Sequence, residues 1–258
     1  MSEWTRATDF ADAESRARLR ARLAEPLEIT FDVGAVGLQL STTWGLFSPR
    51  ELDTGSRLLL EELERRWQRE PPDAVRSVCD LGCGYGPLGL WIRKRLGSEC
   101  RAVLLDKDVT AVEFARRNAE RIACASPPPR NLQQVRSDEE LSSDAMTTAG
   151  FEVLLSDGFA ALPRDARFDL VVSNVPAKIG REALYAMLLD AHRHLVPGGE
   201  IWVVTITGLR RFIEGAFRDV FDDYDKIKQG RDYTVARAQR SDFGDRTVDR
   251  GPRSSRTE

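Results

Sequence analysis

The sequence predicts a doubly wound α/β sheet of seven strands, mostly parallel and closed by an antiparallel hairpin. Three observations predict it. From residue 75 onward, short apolar strands alternate with helical stretches of ten residues or more. That alternation is the signature of strand–helix–strand crossovers, which place successive strands parallel. The run Asp80-Leu81-Gly82-Cys83-Gly84-Tyr85-Gly86 follows the first of these strands and opens a helix, where a Rossmann-like sheet places its ligand loop. An acid, Asp106, then stands at the end of the next strand, 22 positions past Gly84.

Taken in order, residues 1–26 carry Arg16, Arg18, Arg20 and Arg22 among alanines and read as a charged helix. Residues 27–240 form the main domain. Apolar residues alternate at Leu27, Ile29, Phe31 and Val33, and again at Val36, Leu38 and Leu40, so a hairpin is expected within 27–48. A turn through Trp44-Gly45-Leu46-Phe47-Ser48-Pro49 leads to a helix that starts at Asp53 or Thr54 and ends before Pro71-Pro72. Strands follow at 75–81, 102–105, 152–155, 168–173 and 200–205, with helices at 87–96, 110–124, 181–195 and 209–221. Pro197-Gly198-Gly199 breaks the 181–195 helix. Final strands near 226–229 and 233–238 close the sheet. Residues 125–150 are rich in Pro, Ser and Asp and longer than an ordinary helix-to-strand connection, so they read as a surface insertion. The 241–258 segment reads as a disordered tail.

Bulk composition narrows the function classes. The chain has 258 residues with 41% hydrophobic content, enough for one sizeable core. No apolar run reaches membrane-spanning length, and the first residues mix acids with arginines where a secretory signal has an apolar centre. A cytoplasmic protein is expected. A net charge of −3 argues against a sequence-blind nucleic-acid binder. Basic residues do cluster at Arg93-Lys94-Arg95, Arg116-Arg117 and Arg210-Arg211, each of which also suits a solvated helix face. Cys79, Cys83, Cys100 and Cys124 contain no Cys-x-x-Cys pair and read as buried free thiols of a reducing compartment. His192 and His194 lie two apart in a helical stretch, hence on different faces. No metal is expected.

The glycine loop admits two readings. Gly84-Tyr85-Gly86-Pro87-Leu88-Gly89 is also a G-x-G-x-x-G string, as in nicotinamide sites. Asp80 discriminates. A carboxylate at the strand end repels a pyrophosphate but suits S-adenosylmethionine, which carries a sulfonium and an ammonium, while Gly82, Gly84 and Gly86 let the backbone approach closely. Asp106 would accept from the ribose hydroxyls. Asp157, after the third strand, suits the adenine amino group or a plain turn or helix cap.

Beyond the fourth strand lies Ser173-Asn174-Val175-Pro176-Ala177-Lys178-Ile179-Gly180. An Asn with a Pro two residues on resembles the Asn-Pro-Pro-aromatic motif of amino-group methyltransferases. A side-chain amide oxygen and a backbone carbonyl there can accept both hydrogens of an amino group and aim its lone pair at a methyl donor. Gly45-Leu46-Phe47-Ser48, Leu52-Asp53-x-Gly55-Ser56 and the late run from Gln229 to Ala238 are also similar to the "methyltransferase small" (MTS) family, whose members include the small-subunit rRNA guanine-N2 methyltransferase C group.

That resemblance spans residues 27–238. It implies S-adenosylmethionine as cofactor, an rRNA or ribosomal-subunit partner, and transfer to an exocyclic amino group, guanine N2 foremost. It assigns Asn174 and Pro176, with Lys178 beside them, to the acceptor. Asp80, Gly82, Gly84, Gly86, Asp106 and Asp157 go to the cofactor, which Asn174 also adjoins. Val175 stands where the family has its first proline, Ala177 where it has an aromatic and Lys178 where it has a histidine. The stacking ring is then expected from Phe47, Trp44 or Tyr85. Lys178 suits an RNA phosphate, a protein carboxylate or plain solvent. Methylation of a protein amide or amine, and a cofactor-binding protein without turnover, stay open as alternatives.

Overall fold

A computed structural model of the chain describes residues 25–125, 146–148 and 150–241, with isolated positions 14, 17, 18 and 21. Those four positions are helical. The rest of the predicted N-terminal helix, most of the 125–150 insertion and nearly all of the 241–258 tail lie outside the described residues.

Strands β1 (Leu27–Val33) and β2 (Val36–Thr42) form a separate antiparallel pair, registered from Leu27 opposite Thr42 to Val33 opposite Val36. Helix α1 (Thr54–Arg69) follows, and the main sheet begins. Its elements are β3 (Ser77–Leu81), α2 (Pro87–Leu96), β4 (Arg101–Asp106), α3 (Val109–Ala125), β5 (Met146–Thr148), β6 (Phe151–Leu155) and β7 (Phe168–Asn174). They continue with α4 (Arg181–His194), β8 (Leu195–Ile206), α5 (Arg210–Phe221), β9 (Asp225–Gln229) and β10 (Tyr233–Gln239). The strand order is β5-β6-β4-β3-β7-β8-β10-β9. Strands β6, β4, β3, β7 and β8 run parallel, while β5 and β10 run antiparallel to their inner neighbours. The seven predicted strands are present. An eighth, the three-residue β5, pairs with β6 at one edge and falls inside the segment read as insertion.

The central strands are mostly apolar because both faces are covered, with Asp80 and Ser173 as buried polar exceptions near their carboxyl ends. Along β3 and β4 the side chains divide with period two. Val78, Ala102 and Leu104 face the layer built from β1, β2, α1, α2 and α3. Cys79, Leu81, Val103 and Leu105 face the layer of α4 and α5. Cys79, Cys83 and Cys100 are buried thiols as expected, whereas Cys124 is exposed; none is in a disulfide. His194 is buried with its ring stacked on Phe159 at 4.8 Å and its Nδ1 at 2.9 Å from the Ala166 carbonyl oxygen.

Pro197-Gly198-Gly199 corrects the sequence reading. The triplet lies within β8, which starts at Leu195 and not at residue 200. The chain absorbs it as a register slip against β7: Phe168 faces Leu195, yet Leu170 faces Glu200. Such bulges are compatible with Pro and Gly inside a strand. Gly199 is required sterically, since a Cβ there would meet the carbonyl oxygens of Val196, Phe168 and Asp169 at 2.9, 3.1 and 3.2 Å. These are backbone atoms that cannot swing aside. Gly199→Ala is expected to lower stability by about 1–3 kcal/mol, read as a lower denaturant midpoint with unchanged slope. An unchanged midpoint would show that the bulge relaxes freely.

Candidate active site

The carboxyl ends of β3, β4, β6 and β7 bring the predicted site residues to one edge of the sheet, where doubly wound folds bind ligands. After β3 the chain folds over β4: Gly82 and Cys83 donate their N–H groups to the Leu105 carbonyl at 2.8 and 3.0 Å. Gly82, Gly84 and Gly86 all have left-handed φ values, of 71°, 57° and 95°. Their surroundings differ. A Cβ on Gly82 or Gly84 would meet nothing within 4 Å, whereas one on Gly86 would strike Leu90 Cδ1 at 2.7 Å. The first two glycines border open space that a ligand can fill, and the third packs α2 against the sheet.

Asp80 is buried, and its Oδ2 accepts the Gly89 N–H at 2.7 Å. This bond needs glycine at 89, where a Cβ would lie 2.9 Å from the Asp80 Cβ. Oδ1 is also buried and has no hydrogen-bond partner among the described residues. Burial, assisted by the nearby Asp106 charge and opposed by the Gly89 N–H, raises the Asp80 carboxyl to about 7. A buried acceptor without a donor is costly, and a cationic ligand group would relieve it.

Asp106, at the end of β4, accepts from Gly84 N through Oδ2 at 2.8 Å and from Asp108 N through Oδ1 at 2.9 Å. Asp157 is exposed just beyond β6, where Ser156 N donates to the Asp106 carbonyl at 2.8 Å. The strand ends thus set Asp106 and Asp157 side by side. Two exposed apolar residues border them and were not singled out from the sequence: Leu155, paired with Asp106 across β4 and β6, and Val109, which opens α3. Apolar residues at element ends carry no distinguishing sequence signal.

Asn174 ends β7. Its Nδ2 donates to Asp53 Oδ2 at 2.8 Å and to Ser56 Oγ at 2.9 Å. Asp53 is the N-cap of α1 and takes the Ser56 N–H at 2.9 Å, while its Oδ1 accepts the Tyr233 hydroxyl at 3.2 Å. Asp53, Ser56 and Tyr233 are site neighbours to which sequence reasoning assigned no site role, placing them in a helix start and a closing strand within segments that resemble the family. Val175 is buried and donates its N–H to the Val204 carbonyl at 2.9 Å, a bond that proline at this position cannot make. Pro176, Ala177 and Lys178 are exposed in the turn that leads to α4.

The turn from Thr43 to Asp53 spans both halves of this edge. Ser48, a non-glycine residue with φ of 48°, accepts the Tyr85 hydroxyl of the glycine loop at 3.4 Å through its carbonyl. Five residues on, Asp53 holds Asn174. Of the three aromatics expected to stack, Tyr85 is buried at 3% exposure, and Trp44 lies under the Arg50 guanidinium at 4.5 Å. Phe47 is 66% exposed. Behind the turn, buried Asn118 ties Ser41 to the glycine loop: it accepts from Ser41 N at 2.8 Å and donates to the Ser41 and Tyr85 carbonyls, each at 2.9 Å.

Sheet order, glycine loop, strand-end acids and the Asn-x-Pro turn together define a Rossmann-like methyltransferase. The chain belongs to the methyltransferase small domain family, whose pattern matches residues 37–138 and 130–237. It is 25% identical over 198 residues to the YbxB protein of Bacillus subtilis, covering 76% of this chain and 83% of that one. It is 29% identical over 195 residues to ribosomal RNA small subunit methyltransferase C of Haemophilus influenzae, covering 74% of this chain and 48% of that protein. Among solved structures it resembles the T. thermophilus 16S rRNA N2 G1207 methyltransferase in complex with AdoMet and guanosine. That match has a TM-score of 0.65 and 26% identity, over 83% of this chain and 50% of that one. The chain therefore spans about half the length of the rRNA methyltransferases it matches.

Proposed function

We propose that this protein transfers the methyl group of S-adenosylmethionine to an exocyclic amino nitrogen of RNA, guanine N2 of small-subunit rRNA foremost. Asn174 carries the reading: a carboxamide fixed by Asp53 at the end of β7, beside the glycine loop and followed by Pro176. The residues present fit the cofactor. Asp80 offers a buried unpartnered oxygen to its cationic end, Gly82 and Gly84 leave the space that side chains would fill, and Asp106 and Asp157 supply acceptors for ribose and adenine. When bound, the cofactor supplies an electrophilic methyl group. The chain's task is to hold the amino nitrogen so that its lone pair faces that methyl, with Asn174 Oδ1 and a backbone carbonyl of the same turn taking its hydrogens.

Two further observations favour RNA over a protein substrate. Phe47 is an exposed ring on a turn anchored to both the glycine loop and Asn174, so it supplies the stacking surface that Ala177 lacks. The rim also carries exposed Arg50, Lys178, Arg181 and Arg211. Arg181 and Arg211 lie in the first turns of α4 and α5, where the helix dipole disfavours cations. Arg181 is also held over the Phe212 ring at 5.9 Å and beside Glu182, and the four cations together suit a phosphate backbone.

The deciding experiment incubates the protein with tritiated cofactor and small ribosomal subunits lacking base methylation, then separates nucleosides. N2-methylguanosine is expected. Label that survives nuclease in a protein band selects amide or amine methylation instead. Tight cofactor binding without label in either fraction selects a protein without turnover. Phe47→Ala is expected to weaken guanosine binding to the S-adenosylhomocysteine-loaded protein by about 1–3 kcal/mol. Unchanged affinity removes Phe47 from the acceptor pocket.

A further inference from the structure

We infer that Asp53 is a positioning residue for methyl transfer: it fixes which end of the Asn174 carboxamide faces the acceptor. The inference rests on the function proposed above. A primary amide presents a donor at one end and an acceptor at the other, and only the acceptor end can take a hydrogen from an amino group. Left alone, the two ends are nearly equal in shape. Asp53 removes that ambiguity, because a carboxylate has acceptor oxygens only. Its Oδ2 lies 2.8 Å from Asn174 Nδ2, so the amide nitrogen is turned toward α1 and Oδ1 away from it. Ser56 Oγ, 2.9 Å from the same nitrogen, cannot select the orientation alone, since a hydroxyl both donates and accepts.

Asp53 is itself held. Its Oδ2 also takes the Ser56 N–H, its Oδ1 takes the Tyr233 hydroxyl, and only 9% of the residue is exposed. Tyr233 reaches it across Gly55, where a Cβ would lie 2.8 Å from Tyr233 Cδ1. The carboxylate has a second effect. Donation to an anionic oxygen strengthens a hydrogen bond, and linked bonds in a low-dielectric site polarise one another. The Asn174 carbonyl thereby becomes the stronger acceptor.

Asp53 also caps α1, so the test must separate capping from positioning. Asp53→Ser keeps a good N-cap but is too short to reach Asn174. Asp53→Asn keeps an acceptor where Ser56 N and Asn174 Nδ2 both donate. Two measurements are made on the full chain loaded with S-adenosylhomocysteine or assayed with cofactor and small ribosomal subunits. The first is kcat and KM. The second is the side-chain amide resonance pair of Asn174, assigned by its loss in Asn174→Ala. Asp53→Ser is expected to lower kcat by roughly 10–100-fold with cofactor affinity unchanged, and to shift the two Asn174 amide proton signals toward those of a solvated carboxamide. Asp53→Asn is expected to recover most of the rate and to leave the signals near their wild-type positions. Wild-type kcat in Asp53→Ser, unmoved Asn174 signals in that variant, or equal impairment of both variants overturns the inference. A wild-type protein that methylates nothing sinks the proposed function alone, and the amide resonances still decide what Asp53 does.

Discussion

Replacing Asn174 by alanine is expected to cut methyl transfer by about 10²–10³-fold, the usual cost of removing one preorganised group that acts on the reacting atoms. Cofactor affinity should hold. The contacts that shape the glycine loop run through Leu105, Asp106 and Asn118, and none involves Asn174. Folding should also survive, because Asp53 keeps the Ser56 N–H and the Tyr233 hydroxyl and loses one donor worth about 1 kcal/mol. Asn174→Asp is a harsher change than it looks. It sets a carboxylate against Asp53 Oδ2 at the 2.8 Å now spanned by a hydrogen bond, and like charges that close force a proton uptake or a rotation away. Single-turnover rates with saturating cofactor, beside calorimetric titration of S-adenosylhomocysteine, check both statements. A loss smaller than tenfold in Asn174→Ala would move the acceptor site elsewhere.

The second large effect is a pH dependence written into Asp80. Burial raises this carboxyl from the ordinary 3.8 to about 7. The folded, ligand-free protein therefore holds a proton there that the unfolded chain releases near pH 4. By linkage, the contribution of this group to stability is fully present below about pH 4 and is lost as pH rises toward 7. Cofactor binding runs the other way. A cationic ligand pairs with the ionised form, and each pH unit below 7 reduces that form about tenfold. Affinity for S-adenosylmethionine is expected to rise steeply from pH 5 to pH 7 and then level, while the ligand-free melting temperature loses ground over the same window. Asp80→Asn keeps an acceptor for the Gly89 N–H but has no proton to lose. It should flatten the Asp80 share of both curves and weaken binding at pH 8 by about 10–100-fold, as expected when a charged hydrogen-bonding partner becomes neutral. Any titration of the ligand's own amino group appears equally in both proteins and cancels in the comparison. Identical slopes in wild type and Asp80→Asn would place the cation elsewhere.

Much of this edge of the sheet was legible in the sequence, because residue type there encodes a backbone need. Gly82, Gly84 and Gly86 occupy the left-handed conformations that other residues avoid, and the buried strands are mostly apolar because helices cover both faces. The acids at 80, 106 and 157 lie at or just past the carboxyl ends of strands and so could be placed by counting. What stayed hidden depends on partners remote in sequence. Asp53 reads as a helix cap, which it is, and its grip on Asn174 spans 121 residues. Tyr85 in a glycine-rich loop gives no sign of whether it faces solvent, and it points inward. Pro197-Gly198-Gly199 signals a stop to any local reading, yet the pairing of β8 with β7 and β10 carries the strand through it. Val175 looked like a loss against the family's proline; the N–H it contributes extends the contact of β7 with β8.

Asn118 and Asp53 have a practical consequence for redesign. They pin the two ends of the segment between Ser41 and Asp53, one through the glycine loop and the other through Asn174. The exposed residues between, Phe47 among them, can thus be varied while both anchors keep those two parts of the edge in register. A library confined to the exposed side chains of Phe47 and Arg50, with Asn118, Asp53 and the Ser48 turn untouched, probes acceptor choice under the proposed function while the Tyr85 contact to the glycine loop stays in place.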